Sequence, residues 1–318
     1  MESAFKQRIG FSGDLKEIAE IICKDFILGN LIDSEIVPIG YEDFNFSLET
    51  SKGKFFVKIF SKVRTPEDCE RNVDVVIKAL EYGVSVPKLY KSKQGYLHVF
   101  KIRELTLRSC VMDFISGKNF YTSKKSIKKE DRLYLARQAA LINSINIRPP
   151  MIYDSWAITN LPNEFEKKGQ YLNKEDLGFI KPLVEKFNDL NIKTLPHCFV
   201  HGDITRTNTI KDKDGKIWIV DFSVANYYPR IQEIALFACE LLFNKDNEEE
   251  GERNLKEFLK EYQKTIKLEP RELEALPTYI KFAHAMHVLL ATYEKKVNNN
   301  NTEENEYFLS IGKAGLQE

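Results

Sequence analysis

The sequence predicts an α+β fold, a small antiparallel sheet broken by one helix and then a larger, mainly helical region. Three observations predict it. Between residues 44 and 114 apolar side chains recur with a period of two, interrupted by one stretch of helical period. Beyond Gly117 the helical period dominates, apart from one hairpin. The 318 residues, 43% hydrophobic and 30% charged, are enough chain for two lobes and too apolar for wholesale disorder.

In chain order, Leu15, Ile18, Ala19, Ile22 and Phe26 share one helical face, with Gly29 as the stop. Phe44, Phe46 and Leu48 alternate with Asn45, Ser47 and Glu49, and after the turn Ser-Lys-Gly-Lys a second strand runs Phe55 to Phe60. A helix is expected from Pro66 to Tyr82, closed by Gly83 and Pro87, followed by strands Tyr96 to Ile102 and Leu107 to Phe114. Leu133, Ala136 and Ala140, with Leu135, Ala139 and Ile142, make two stripes, an apolar face wide enough for a buried helix. Residues 149–195 carry no pattern that separates helix from loop. Phe199–Val200, Thr209–Ile210, the turn Asp-Lys-Asp-Gly and Ile217–Val220 then read as strand, loop and hairpin. Helices follow, one marked by Leu255, Phe258, Leu259, Tyr262 and Ile266, and the four asparagines at 298–301 read as a short loop.

Lys plus Arg and Asp plus Glu are both 47, so no global charge draws the chain to nucleic acid or to an anionic membrane. Cys23, Cys69, Cys110, Cys198 and Cys239 are scattered and form no CxxC pair, which argues against a disulfide framework or a zinc knuckle. The opening MESAFKQRIGFSGD lacks the basic and apolar segments of a signal peptide. The apolar run Ile234–Phe243 is too short to span a bilayer. A soluble protein of the reducing cytoplasm is expected.

The chemistry concentrates in His201–Asn208 (HGDITRTN) and in Asp221–Phe222, which end the strand IWIVDF. This is an acid, an amide five residues on, and a second acid after a hairpin. Phosphoryl transfer from a nucleotide needs those parts. Asp203 would orient an acceptor hydroxyl and take its proton, while Asn208 and Asp221 would hold magnesium, a hard cation that prefers oxygen ligands. His-x-Asp-x4-Asn alone arises by chance in about one chain in a hundred of this size. The Asp–Phe placed after an apolar strand lowers that further.

HGDITRTN and IVDF resemble the catalytic loop and metal strand of the aminoglycoside phosphotransferase and choline-kinase-like superfamily, which has the protein-kinase fold. The resemblance covers most of the chain and implies a bilobal molecule, an N-lobe over residues 1–115 and a helical C-lobe over 116–318. Thr205-Arg206-Thr207 departs from the family's usual His-Pro-Gly, and Glu233 stands where the family has an aspartate that braces the loop. The resemblance also implies that Lys58, in FFVKIF, contacts the α- and β-phosphates. Its partner would be Glu70 on the following helix, with Glu67 and Asn72 as alternatives. Further implied are a phosphate-covering turn around Gly40 in IGYEDFNF, with one glycine only, and an adenine-binding hinge in VMDFISG through the backbone of Asp113 and Ile115.

The reading is therefore a small-molecule kinase. It moves the γ-phosphate of ATP, with GTP as the alternative donor, to a hydroxyl with the help of Mg2+. Asp203 is the base, His201 shapes the loop, and Arg206 either touches phosphate or pairs with Glu233 or another acid. A protein kinase is disfavoured because Pro229 follows Phe222 by only seven positions, which leaves no room for a peptide platform. A dead nucleotide-binding scaffold has no need of all four of Lys58, Asp203, Asn208 and Asp221. The acceptor stays open among aminoglycosides, amino alcohols, homoserine and sugars; the acidic run DNEEEG (246–251) and Glu240 lean towards a cationic one. His284 and His287 read as packed core residues rather than a metal pair, and DNEEEG as a solvated loop.

Overall fold

The computed structural model describes residues 7–37, 43–124 and 126–317. It divides into two compact units, one formed by 1–81, 85–117 and 211–220 and the other by 82–84, 118–210 and 221–318.

The first unit opens with α1 (Leu15–Asp25), whose N-terminus is closed by a reciprocal capping box between Asp14 and Glu17. It ends at Phe26, earlier than Gly29, because the chain already turns left-handed at Ile27 (φ 57°) and again at Gly29 (φ 92°). Then come β1 (Leu31–Ile36), β2 (Phe44–Thr50), β3 (Gly53–Ile59), α2 (Pro66–Glu81), β4 (Leu89–Tyr90), β5 (His98–Ile102) and β6 (Leu105–Asp113). The strands form one antiparallel sheet ordered β1-β2-β3-β6-β4, with β5 also paired to β6.

Alternation gives the sheet two apolar faces. Phe44, Phe46, Phe55, Val57, Ile59 and Val111 join the buried side of α1 in one core. Phe60 and Cys110 point the other way and pack with Cys69 and Val73 of α2. Lys58, between Val57 and Ile59, is therefore on the face that α2 covers.

The second unit contains most of the remaining elements: β7 (Gly117–Asn119), α3 (Phe120–Ser123), α4 (Lys129–Ser144), α5 (Leu161–Lys168), α6 (Lys174–Asp189), β8 (His197–Val200), β9 (Thr209–Asp212), β10 (Ile217–Ile219), β11 (Asn226–Pro229), α7 (Ile231–Phe237), α8 (Glu248–Tyr262), α9 (Pro270–Val297) and α10 (Glu303–Gln317). The end of β9 and the whole of β10, within 211–220, cluster instead with the first unit. The turn between them is built by Asp212, whose Oδ1 accepts the N–H groups of Asp214 and Lys216, with Gly215 at φ 86°.

The stripes expected on α4 are buried at Leu135, Ala136, Ala139, Ala140 and Ile142. Its Asn143 ties three elements together: Nδ2 donates to the Phe199 carbonyl at 3.0 Å, and Oδ1 accepts the Tyr262 hydroxyl at 2.7 Å. Residues 149–195, unreadable by pattern, resolve into α5, α6 and short 3-10 turns, anchored by Leu161, Ile180 and Phe187. The run DNEEEG is a helix start rather than a loop. Asn247 caps α8, and Glu248, Glu249 and Glu250 fill its first turn, where the helix dipole favours anions.

The long α9 is apolar nearly all round because α10 covers it closely. A Cβ on Gly312 would lie 2.9 Å from the His284 carbonyl, and one on Gly315 would meet the His284 ring at 2.2 Å. Among the described residues no helix is long and apolar enough to cross a membrane. The cysteines are all free thiols.

Candidate active site

β8 and β11 pair antiparallel with Val200 opposite Asn226, and this brings the loop beginning at His201 beside the segment beginning at Asp221. His201 is fully buried, its ring 4.2 Å from that of Phe222, and its Nδ1 accepts the Asp203 N–H at 3.2 Å. Gly202 has φ 82°, a left-handed turn that favours glycine. Its N–H donates to Glu233 Oε2 at 3.0 Å, and Glu233 has no solvent exposure. Burial pushes the Glu233 carboxyl up to about 7.

Asn208 donates its amide to Asp203 twice, to Oδ2 at 2.6 Å and to the carbonyl at 3.1 Å. The Asn208 amide oxygen accepts nothing among the described residues. Asp203 is pushed well above the usual carboxylate range, first by burial and then by the like charges of Asp221, Asp154 and Glu240. Asp221 sits in left-handed backbone at φ 64°, a conformation a non-glycine residue holds only when its surroundings impose it. Two carboxylates that repel each other, with an open amide oxygen beside them, are a hard-oxygen donor set that suits a divalent cation. Among the described residues no group of three or more His, Cys, Asp or Glu is arranged to hold a metal, so such a set depends on the Asn208 amide.

The unusual centre of the loop is held by its own hydroxyls. Thr205 and Thr207 share a hydrogen bond of 2.9 Å, and Thr209 Oγ1 donates to the Thr205 carbonyl at 2.9 Å. Arg206 does not pair with Glu233. Its Nε donates to the main-chain carbonyl of Glu240 at 2.9 Å.

Sequence reasoning missed much of what surrounds Asp203. Asp154 lies in the unreadable stretch; it is buried, and its Oδ1 accepts the Trp156 N–H at 2.9 Å. Glu240, already read from its charge as favouring a cationic acceptor, is buried too, and burial lifts its carboxyl to about 8. Tyr307 and Phe308 of α10 stand nearby, Tyr307 with its hydroxyl 3.5 Å from Glu240 and Phe308 with its ring 5.7 Å from that of Trp156. No local motif marks these positions. His284 and His287 are packed as expected. Cys239 Sγ lies 3.3 and 3.2 Å from their Nδ1 atoms, and burial lowers the two rings to about 4 and about 3.

In the first unit Lys58 Nζ lies 3.6 Å from Asp43 Oδ2, and Asp43 Oδ1 also accepts from Arg64 Nε at 2.8 Å and the Ser61 N–H at 3.0 Å. The expected partner Glu70 does not reach Lys58, nor does Glu67. The helix phase explains this, since α2 turns Cys69, Asn72 and Val73 inwards and leaves both glutamates exposed. Asn72 is 5% exposed, and its Nδ2 has no partner among the described residues. Gly40 lies outside the described residues. At the end of β6 the Asp113 N–H donates to the Lys88 carbonyl at 3.0 Å, while the Ile115 N–H has no partner among the described residues.

The model of the phosphotransferase enzyme family matches residues 34–276. Homoserine kinases of Methylobacillus glycogenes and Bradyrhizobium diazoefficiens are 22% and 23% identical over 265 and 275 residues, 82% of this chain and 79% of each relative. Among solved structures, an amicoumacin kinase in complex with AMP-PNP and Ca2+ superposes with a TM-score of 0.69 at 17% identity, covering 100% of this chain and 96% of that one. A microcompartment-associated aminopropanol kinase gives 0.67 at 13% identity, with 95% of each chain covered. A choline/ethanolamine kinase family protein from Mesorhizobium loti gives 0.65 at 14%, with 95% and 93% covered. These structural likenesses show a protein-kinase-like fold.

Proposed function

We propose that this chain, which belongs to the phosphotransferase enzyme family, uses ATP and Mg2+ to phosphorylate a hydroxyl group of a small molecule, with GTP as the alternative donor. The observation that carries the reading is the Asn208–Asp203 contact of 2.6 Å beside Asp221. It supports a proton acceptor and one oxygen ligand on the 203–208 loop, with a second ligand from the adjoining segment that begins at Asp221.

Asp203 orients the acceptor hydroxyl and takes its proton at a carboxylate oxygen. Burial and the neighbouring like charges raise its proton affinity, the direction that suits a proton acceptor. Asn208, through its amide oxygen, and Asp221, through its carboxylate, hold the metal. Held there, Mg2+ would supply positive charge against the phosphates of the nucleotide. Lys58 contacts the α- and β-phosphates. The Asp113 carbonyl is left to face the adenine edge, because its N–H is already bonded to Lys88, and the unpartnered Ile115 N–H is the matching donor. His201 and Glu233 hold the loop in shape, and Arg206 positions it through Glu240. In this reading residues 1–115 serve the nucleotide and 116–318 the acceptor, and the enzyme works in the cytoplasm.

The acceptor is a small alcohol carrying an amine, such as an amino alcohol, homoserine or an aminoglycoside, ahead of a neutral sugar. Asp154 and Glu240 support this, as buried acids whose negative charge acts on Asp203 and would draw a cationic group towards it. The direct pairing of β11 with β8 so soon after Asp221 argues against a protein substrate. The test is a γ-phosphate transfer assay on amino alcohols, homoserine, aminoglycosides, sugars and casein. Labelling of an amine-bearing alcohol is expected, and labelling of casein alone would overturn the reading.

A further inference from the structure

A cleft of about 600 Å³ opens in the second unit, and none of its lining residues belongs to the loop 201–208. It lies at the far end of the β8–β11 ribbon. The Val200–Asn226 pair adjoins the loop, whereas the His197–Pro229 pair reaches the cleft.

The lining is one-sided in charge. Arg148, Lys193 and His197 contribute to it, and no Asp or Glu does, in a chain whose acids and bases are equal at 47 each. Neither Arg148 nor Lys193 forms an ion pair among the described residues. Tyr227 makes an aromatic wall, with the Arg148 guanidinium 5.0 Å from its ring centroid and the His197 ring stacked at 6.0 Å. Stacking of this kind fixes the plane of a guanidinium while leaving its N–H groups free to meet an anion. Behind the wall, Gln232 is 2% exposed and accepts the N–H of the lining residue Thr159 at 3.3 Å, while its own Nε2 is unsatisfied among the described residues.

The cleft also has a route to the chemistry. Its lining residue Asn160 donates Nδ2 to the Asp154 carbonyl at 2.6 Å, and Asp154 is one of the charges acting on Asp203. One short segment thus carries both the cleft wall and a neighbour of the proposed base.

We propose that this cleft is a second ligand site, taking a small molecule with two negative charges, carboxylate or phosphate, and that its occupant alters turnover through the 151–160 segment. The arrangement suits a bidentate contact from Arg148 and a point charge from Lys193.

Methionine-methyl NMR on the nucleotide-free protein tests binding. Met151 lines the cleft and is 76% exposed, while Met286 is 1% exposed and serves as the internal reference. Inorganic phosphate and succinate are titrated separately at constant ionic strength, with succinamide as the neutral control. The expected result is a saturable shift of Met151 with at least one dianion and none with succinamide. A response to phosphate alone assigns a phosphate ester, and a response to succinate alone assigns a dicarboxylate. The double variant Arg148→Ala, Lys193→Ala should bind roughly ten- to a hundredfold more weakly, the scale of losing charge-assisted hydrogen bonds. Both side chains are exposed, so the fold should persist, and a thermal melt verifies it. Saturating dianion should change kcat at least twofold in the parent and not in the double variant. No Met151 shift with either dianion, or equal binding by the double variant, would overturn the site. Unchanged kcat at saturation would overturn its link to turnover. The NMR arm needs neither nucleotide nor acceptor, so it stands apart from the fate of the proposed reaction.

Discussion

Glu233 accepts the Gly202 N–H at 3.0 Å from a position with no solvent exposure, so a buried carboxyl supports the backbone immediately before Asp203. Burial raises that carboxyl from 4.5 to about 7. The folded chain therefore keeps a proton that the unfolded chain has released.

The sign of the resulting pH dependence is fixed. Between about pH 4.5 and 7 the folded state binds the extra proton, so this group's contribution to stability falls as pH rises through that window and is flat above it. The slope approaches 1.4 kcal/mol per pH unit within the window. Glu233→Gln should remove this slope, read as the difference between parent and variant in denaturant melts from pH 4 to 8. Parallel curves would refute the assignment.

Asp203→Asn should keep nucleotide affinity and lower kcat by about two to four orders of magnitude, the scale of losing a positioned base. The amide is close in size to the carboxylate, so the Asn208 contact can re-form. Calorimetric nucleotide titration alongside single-turnover transfer measures the two quantities separately. Near-normal transfer would remove Asp203 from the role.

For Asp221→Ala the expected loss is in binding. ATP affinity should cease to depend on magnesium, since the cation loses its anionic ligand. Calorimetry with ATP in magnesium and in EDTA reads this directly. A parent protein whose ATP affinity ignores magnesium would sink the assignment of both Asn208 and Asp221.

Lys58 and Glu70 provide an internal contrast. Lys58→Ala should weaken phosphate transfer at least tenfold, whereas Glu70→Gln, at an exposed position that does not meet Lys58, should stay within about twofold of the parent. Equal losses from the two variants would restore Glu70 as the partner.

Gly315→Ala tests the packing of α10 on α9. The added methyl would meet the His284 ring at 2.2 Å, so the variant should lose roughly 1–3 kcal/mol of stability. Thermal melting at fixed pH and salt measures it, and an unchanged midpoint would mean that the helices slide apart at no cost.

The sheet of the first unit and the catalytic loop could be read in advance because each leaves a local trace. Alternating Phe44, Phe46 and Leu48 report a period, and HGDITRTN with IVDF reports a spacing. Residues 149–195 leave neither. Asp154 reaches the neighbourhood of Asp203 through tertiary packing, and Phe308, which packs on the nearby Trp156, is remote in sequence. The Lys58 partner went wrong for a different reason. Glu67 and Glu70 are the acids closest to the expected place on α2, but the phase of that helix, set by Cys69 and Val73, points both away. Asp43, which occupies the position, precedes the strand on which a partner would not be sought.

Five residues, Ala238–Leu242, wind as a π-helix directly after α7, and the carbonyl that Arg206 uses belongs to Glu240 within it. A π turn takes up one residue more than an α turn would, which rotates everything beyond it by about 100° around the axis. The length of this stretch is thus a specified quantity, as much as any side chain in it. Shortened by one residue, the stretch could relax to a regular α-helix with every contact-making type still present in its composition. Leu241 and Leu242 would then leave the faces they fill, and the anchor of Arg206 would shift with them. Chain length here, rather than residue identity, keeps the catalytic loop in register with the helices behind it.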